Sequence, residues 1–220
     1  MFIVTRQRNA QLYTMMRQRF SGHGDACLAL PKYNRVKGAI DYLHRICEFP
    51  GWVVNCDEDC FVTKRDYIAD LIGYMDAYQY DYCGMPDGGV QYHRSNSWAN
   101  MNPFFNIFNM DVIRPVYRQW SRRDIDQFQY VPAPTPPGLT FPYAHNYNEP
   151  FASFFYWLHA HFRPLYLQAS THRDGISTIL HSPLGDVPLV YHAWYSRYYP
   201  KDSVHTPRID ALYAEVCLTP

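Results

Sequence analysis

Through the first 85 residues, short apolar runs of strand length alternate with stretches of helical periodicity, and this restricts the chain to a small set of architectures. The runs are MFIVT at the N-terminus, DACLAL (25–30), GWVVNC (51–56) and YDYCGM (80–85). Between the first two, Asn9 is placed to cap a helix with Leu12, Tyr13, Met16 and Phe20 on one face. Val36, Ala39, Ile40, Leu43, Ile46 and Cys47 form a second helical stripe. TKRD (63–66) has the form of a capping box, followed by Ile68, Leu71, Ile72 and Met75. Strand–helix alternation of this kind predicts a parallel sheet with helices on its faces. Ligands of such sheets bind beyond the carboxyl ends of the strands.

The pattern loosens after residue 85. PDGGVQYHRSNSWANMNP (86–103) reads as loop and PFFNIFN (103–109) as a strand, with Asp111 expected to cap a helix carrying Val112, Val116 and Trp120. Residues 131–142 hold five prolines and predict a stiff surface loop. Asn148 and Pro150 have the chemistry of the cap and first position of a helix with Phe151, Phe154, Phe155 and Leu158. LVYHAWYSRYYP (189–200) precedes a terminal helix near 208–217. At 220 residues, 47% of them hydrophobic, the chain suits one domain with a substantial core. Its halves are a first one (1–85) and a second (86–220) that contains the proline segment.

A formal net charge of +0 argues against a general nucleic-acid coat, which needs a large basic surplus. The six cysteines (27, 47, 56, 60, 83 and 217) contain no C-x-x-C pair, which removes zinc-ribbon and thioredoxin-like readings. Reduced thiols, an N-terminus with two early arginines and no signal-peptide character, and the lack of any apolar run near the roughly 20 residues of a membrane span predict a cytoplasmic protein. Aromatic content of 17%, with 20 Tyr and 5 Trp, suits the flat faces of sugars and bases as well as an aromatic core.

The apolar strand GWVVNC runs into Asp57, Glu58 and Asp59. If the strand stays extended, Asp57 and Asp59 share a face and Glu58 points away. Two carboxylates so placed make half of a site for a hard cation, Mg2+ or Mn2+, which takes a few protein oxygens together with phosphate and water. The competing reading is a solvated acidic loop paired with Lys64 and Arg65.

GWVVNCDEDCFV resembles the D-x-D region of nucleotide-sugar-dependent glycosyltransferases with the GT-A fold. The resemblance implies an α/β fold with a GT-A-like, Rossmann-type mixed sheet flanked by helices. It makes 1–85 the nucleotide-binding half and 86–220 the sugar and acceptor half. It implies that Asp57 lies on the ribose side and that Asp59 binds the divalent metal, with His192 of VYHAW completing the shell. Thr5 and Arg6 at the end of the first strand would meet the base, and Arg35 and Lys37 would lie near the nucleotide. Asn102 and Asn106 would line the sugar pocket, and Arg197 or Lys201 would approach the diphosphate. The donor implied is a UDP-sugar. The acceptor stays open among glycan, protein and modified nucleobase.

Each of these residues also has a plain structural reading. His192 between apolar neighbours suits a core histidine, and the asparagines suit loop closure. Glu149 before a helix start is favoured by the helix dipole. In an inverting member of the family it would instead be the general base for the acceptor hydroxyl. His172, Arg173 and Asp174 are weaker candidates near the acceptor. Two other classes compete. A haloacid-dehalogenase-type phosphatase also ends a strand in D-x-D, but more than fifty residues precede the motif here and Cys60 follows it. A non-catalytic carbohydrate-binding protein fits the aromatic content but has no need of three acids at a strand end.

Overall fold

A computed structural model describes residues 1–21, 25–31, 38–88, 90, 97–145, 149–185 and 187–218. In chain order the elements begin with β1 (Phe2–Gln7), α1 (Ala10–Gln18), β2 (Ala26–Pro31), α2 (Gly38–Ile46) and β3 (Trp52–Cys56). Next come β4 (Cys60–Val62), α3 (Arg65–Ala77), β5 (Tyr82–Pro86), β6 (Met101–Asn109), α4 (Met110–Tyr117) and α5 (Arg122–Asp126). The chain continues through α6 (Ala152–His161), β7 (Pro164–Tyr166), β8 (Ala169–Thr171), β9 (Thr178–His181), β10 (Pro188–His192), a 3-10 turn (Ser196–Tyr198) and α7 (His205–Leu218).

The fold is α/β, with a mixed sheet flanked by helices. Six strands take the order β2-β1-β3-β6-β5-β7, and β6 alone runs against the other five. The parallel sheet expected from the first 85 residues is present in β2, β1 and β3, and β6 from the second half inserts between β3 and β5. The two halves therefore share one sheet. Neighbouring residues of β1 point to opposite faces: Ile3 packs with Met16 of α1 and Leu71 of α3, and Val4 with Leu43 of α2 and Phe154 of α6. Burial on both faces explains why these strands read as continuous apolar runs.

A second, antiparallel sheet has the order β4-β10-β9-β8. β4 follows the three acids directly, and its register sets Cys60 opposite His192 of β10. This sheet brings the far end of the chain to the end of β3.

Several helix starts differ from expectation. Asn9 caps α1, its Oδ1 accepting from the amides of Gln11 and Leu12. Thr63 does not cap α3: the cap position is Lys64, without a side-chain bond, and Thr63 is buried. Asp111 lies inside the first turn of α4 and accepts from the Gly51 amide at 3.0 Å, which ties that helix to the start of β3. α6 begins at Ala152 behind Phe151, later than Pro150 suggested. Asn148 lies outside the described residues, as do Arg35 and Lys37. The proline segment has no regular structure, as expected. No helix among the described residues is long and apolar enough to cross a membrane.

Candidate functional site

β3 ends at Cys56, so the acids do not continue a pleated strand. They form a turn closed by the Cys60 amide on the Asp57 carbonyl at 3.0 Å. The alternation expected for Asp57 and Asp59 therefore does not apply, and each acid faces its own partner. Asp57 lies 3.4 Å from the Arg6 guanidinium. Glu58 turns under the β1–α1 junction, where one carboxylate oxygen accepts from the amides of Arg8 and Asn9 at 2.7 and 2.8 Å. Asp59 accepts from the Ser196 hydroxyl at 2.7 Å and lies 3.5 Å from His192 Nε2. Neither Lys64 nor Arg65 is among these partners. Arg65 pairs instead with Asp25 at 2.8 Å.

These contacts set the ionisation of the three acids. Burial pushes Asp57 above the ordinary carboxylate range, and the neighbouring Asp59 charge adds to this against the pull of Arg6. Burial also raises Glu58, to about 7, although its two amide bonds oppose the shift. At Asp59 burial is outweighed by the neighbouring His192 ring when it is protonated and by the Ser196 hydroxyl bond, and the carboxyl falls to about 2. Asp59 is thus the member of the triplet whose ionised form its neighbours favour.

Asp59 and His192 belong to a group of side chains that could hold a metal ion. A separation of 3.5 Å is poor for a hydrogen bond. Two donors at right angles around an ion with bonds of about 2.1 Å stand roughly 3 Å apart. Two atoms here are buried with no hydrogen-bond partner among the described residues: Asp57 Oδ1 and His192 Nδ1. Cys60 Sγ falls within 4.8 Å of the same ligand atoms. It faces the Phe104 carbonyl at 3.4 Å, and burial keeps its thiol well above the ordinary range. A cysteine sulfur is a soft donor, and this one faces the core, so it suits a hard cation less well than the carboxylate and imidazole. The donors present, a carboxylate and an imidazole beside a second carboxylate, fit Mn2+ or Mg2+.

The acids floor an open cleft of about 1130 Å³ at the carboxyl end of β3. Arg6, Arg8 and Arg197 line it together. Burial and the Arg6 charge lower the Arg8 guanidinium from its ordinary value, with Arg197 contributing in the same direction. Three guanidiniums lining one cleft make a wall suited to a polyanion. Glu149 and Phe151 face the cleft from the start of α6, and Asn102 from the start of β6.

Other expected residues lie elsewhere. Thr5 is fully buried in β1 and its hydroxyl donates to the Cys56 carbonyl, so it does not reach the cleft. Asn106 is fully buried at the centre of the sheet, where its Oδ1 accepts from Asn55 at 3.0 Å and its Nδ2 donates to the Asn102 carbonyl at 3.3 Å. Asn102 reaches the cleft, but its amide donates to Asp87 at 2.8 Å and its oxygen accepts from the Phe104 amide at 3.3 Å. Both asparagines thus fix backbone. Lys201 sits on an exposed turn outside the cleft lining. His172, Arg173 and Asp174 line a separate groove against Glu215 of α7. Arg8 and Ser196 are site residues that the sequence reading did not single out. Arg8 carried a signal, because it repeats Arg6 at a spacing of two. Ser196 carried none.

No family model matches the chain, and no curated protein sequence does. Among solved structures, it is similar to the mannosyltransferase PcManGT from Pyrobaculum calidifontis in complex with GDP-Man and Mn2+. That match has 12% identity and a TM-score of 0.37, over 52% of this chain and 45% of the other, so it spans less than half of the mannosyltransferase. It is also similar to A197 from STIV, at 12% identity and a TM-score of 0.41, over 86% of this chain and 92% of that one. Likeness at this level says nothing of activity.

Proposed function

We propose that the chain is a metal-dependent glycosyltransferase of GT-A type, transferring a sugar from a nucleotide-sugar donor to a hydroxyl acceptor. One observation carries the reading: Asp59 and His192 stand 3.5 Å apart at the floor of a cleft that Arg6, Arg8 and Arg197 also line. Asp59 and His192 would hold the ion, with Asp57 beside them on the ribose side. A divalent cation there would supply charge neutralisation to the diphosphate of the donor.

In transfer, the bond from the anomeric carbon to the diphosphate oxygen breaks, and a bond from that carbon to the acceptor oxygen forms. Arg6, Arg8 and Arg197 stabilise the charge that gathers on the departing nucleoside diphosphate. Glu149, at the cleft wall, takes the acceptor proton. Residues 1–85 supply most of the nucleotide side, and 86–220 supply Glu149, Asn102 and the wall after His192. The resemblance favours a UDP-sugar as donor.

The test needs no acceptor. The protein is incubated with Mn2+ and a panel of uridine, guanosine, thymidine and cytidine diphosphate sugars, and slow donor hydrolysis is followed. One donor should be hydrolysed in a metal-dependent way, and Asp59→Asn should abolish this. Absence of turnover across the panel, together with no thermal stabilisation by any nucleoside diphosphate plus Mn2+, would remove the proposal.

A further inference from the structure

We infer that Arg208 on α7 is a positioning residue for the metal site, acting through Trp194 on the ring of His192; this rests on the reading of Asp59 and His192 as metal ligands. A ligating histidine is ordinarily oriented by a hydrogen bond on its second ring nitrogen. His192 Nδ1 is buried and has no such partner among the described residues. Its ring packs instead against two aromatic rings that also touch each other, their centroids 6.0 Å apart. Phe104 stacks on it with centroids 4.1 Å apart at 15°, and Trp194 packs against it at 4.1 Å and 50°.

The two flanking rings are held differently. Phe104 belongs to β6, inside the large sheet. Trp194 follows the end of β10, and it and Tyr195 are consecutive left-handed residues, with φ of 54° and 53°. Side chains with a Cβ disfavour that region, and a pair in succession persists only where its surroundings hold it. Arg208 provides the hold. Its Nη2 donates to the Trp194 carbonyl at 2.8 Å, and its Nη1 donates to Ser177 Oγ at 2.6 Å and to Asp174 at 3.2 Å. The Trp194 indole donates to Thr178 Oγ1 at 2.9 Å, which anchors the ring from the other side.

The consequences reach both metal ligands. The left-handed pair sets the angle of the Trp194 ring against His192, and it delivers Ser196 to Asp59. The planar fork of arginine bridges the Trp194 carbonyl and the Asp174–Ser177 pair at once, and a lysine ammonium reaches only one of them.

The test uses two readouts on the full chain. One is hydrogen–deuterium exchange of amides 193–199 in metal-free protein. The other is Mn2+ affinity by electron paramagnetic resonance, with UDP as the nucleotide probe. Arg208→Gln should speed local exchange and weaken Mn2+ binding by about 10- to 100-fold, the usual range for residues that orient a ligand. Arg208→Lys should fall between it and the unaltered protein. Arg163→Gln, whose guanidinium donates to the Tyr78 carbonyl and lies over Tyr80 away from α7, should change neither readout. If Arg208→Gln fails to fold, Thr178→Val loosens Trp194 from its other side and should shift both readouts the same way. Unaltered protein that takes up Mn2+ with UDP, while the folded variant binds it equally well, overturns the role of Arg208 alone. Unaltered protein that takes up no Mn2+ overturns the metal reading and this inference with it.

Discussion

Glu58 carries the sharpest consequence at the residue scale. Its carboxylate is the acceptor for two amides at the start of α1, and α1 begins where Arg8 enters the cleft. Glu58→Ala would leave those amides without a partner and should cost about 1–3 kcal/mol or more, read from the urea midpoint. Glu58→Gln keeps an oxygen in the same place and should stay close to the unaltered protein, since burial raises Glu58 to about 7 and so weakens its hold on a charge near neutral pH. A second expectation concerns His192. Imidazole nitrogen is a softer donor than carboxylate oxygen, so His192→Ala should weaken activation by Mn2+ more than by Mg2+. Identical metal titrations for the two proteins would leave His192 a core histidine. The pairing of Asp59 with His192 was legible only through the family resemblance. Nothing local to either residue marks it, and the shared face assigned to Asp57 and Asp59 did not hold because β3 ends at Cys56, three residues short of Asp59.

At the element scale, a polar seam crosses three strands of the sheet. Asn55 of β3 stands opposite Asn106 of β6, which stands opposite Gly84 of β5. The Asn55 amide also donates to the Pro103 carbonyl at 2.6 Å, so the seam fixes the β6 end that lines the cleft. A Cβ on Gly84 would lie 2.3 Å from Asn106 Nδ2 and 2.9 Å from Met101 Sδ. Gly84→Ala should therefore destabilise the protein by about 1–3 kcal/mol, with a lower urea midpoint and weaker nucleotide binding. A midpoint equal to that of the unaltered protein would show that Asn106 moves aside freely. The longer elements could be read from periodicity, because β1, β3, α1 and α3 each present a consistent buried face. The second sheet could not: β4 and β8 are three residues each, too short for a period to register, and their pairing is non-local.

On the scale of the whole molecule, α7 braces the second sheet and through it the cleft. Asp174 is a fixed point of that brace. Burial would raise its carboxyl, but the Ser177 hydroxyl, the amides of Ile176 and Ser177 and the Arg208 guanidinium together hold it well below its ordinary value. A depressed carboxylate contributes stability that is present above its unfolded value near 4 and is lost as pH falls through the folded value. Asp174→Asn should accordingly lower the melting temperature at pH 7, and the gap to the unaltered protein should narrow below about pH 4. A gap independent of pH would show that shape, not charge, matters at this position. The proline segment serves the molecule at its other edge. Pro136, Pro137 and Leu139 share a surface groove with Leu165 and Tyr166 of β7, the last strand of the large sheet, and a non-pairing segment there discourages edge-to-edge association.

Asp59 and His192, brought together by the second sheet, are proposed to hold one divalent cation against a nucleoside diphosphate. Anomalous scattering from Mn2+ in crystals grown with UDP tests this most directly. The expected result is a manganese peak within bonding distance of an Asp59 carboxylate oxygen and His192 Nε2, with diphosphate oxygens on its open side facing Arg6, Arg8 or Arg197. A peak away from both residues, or none at saturating Mn2+ and UDP, would contradict it.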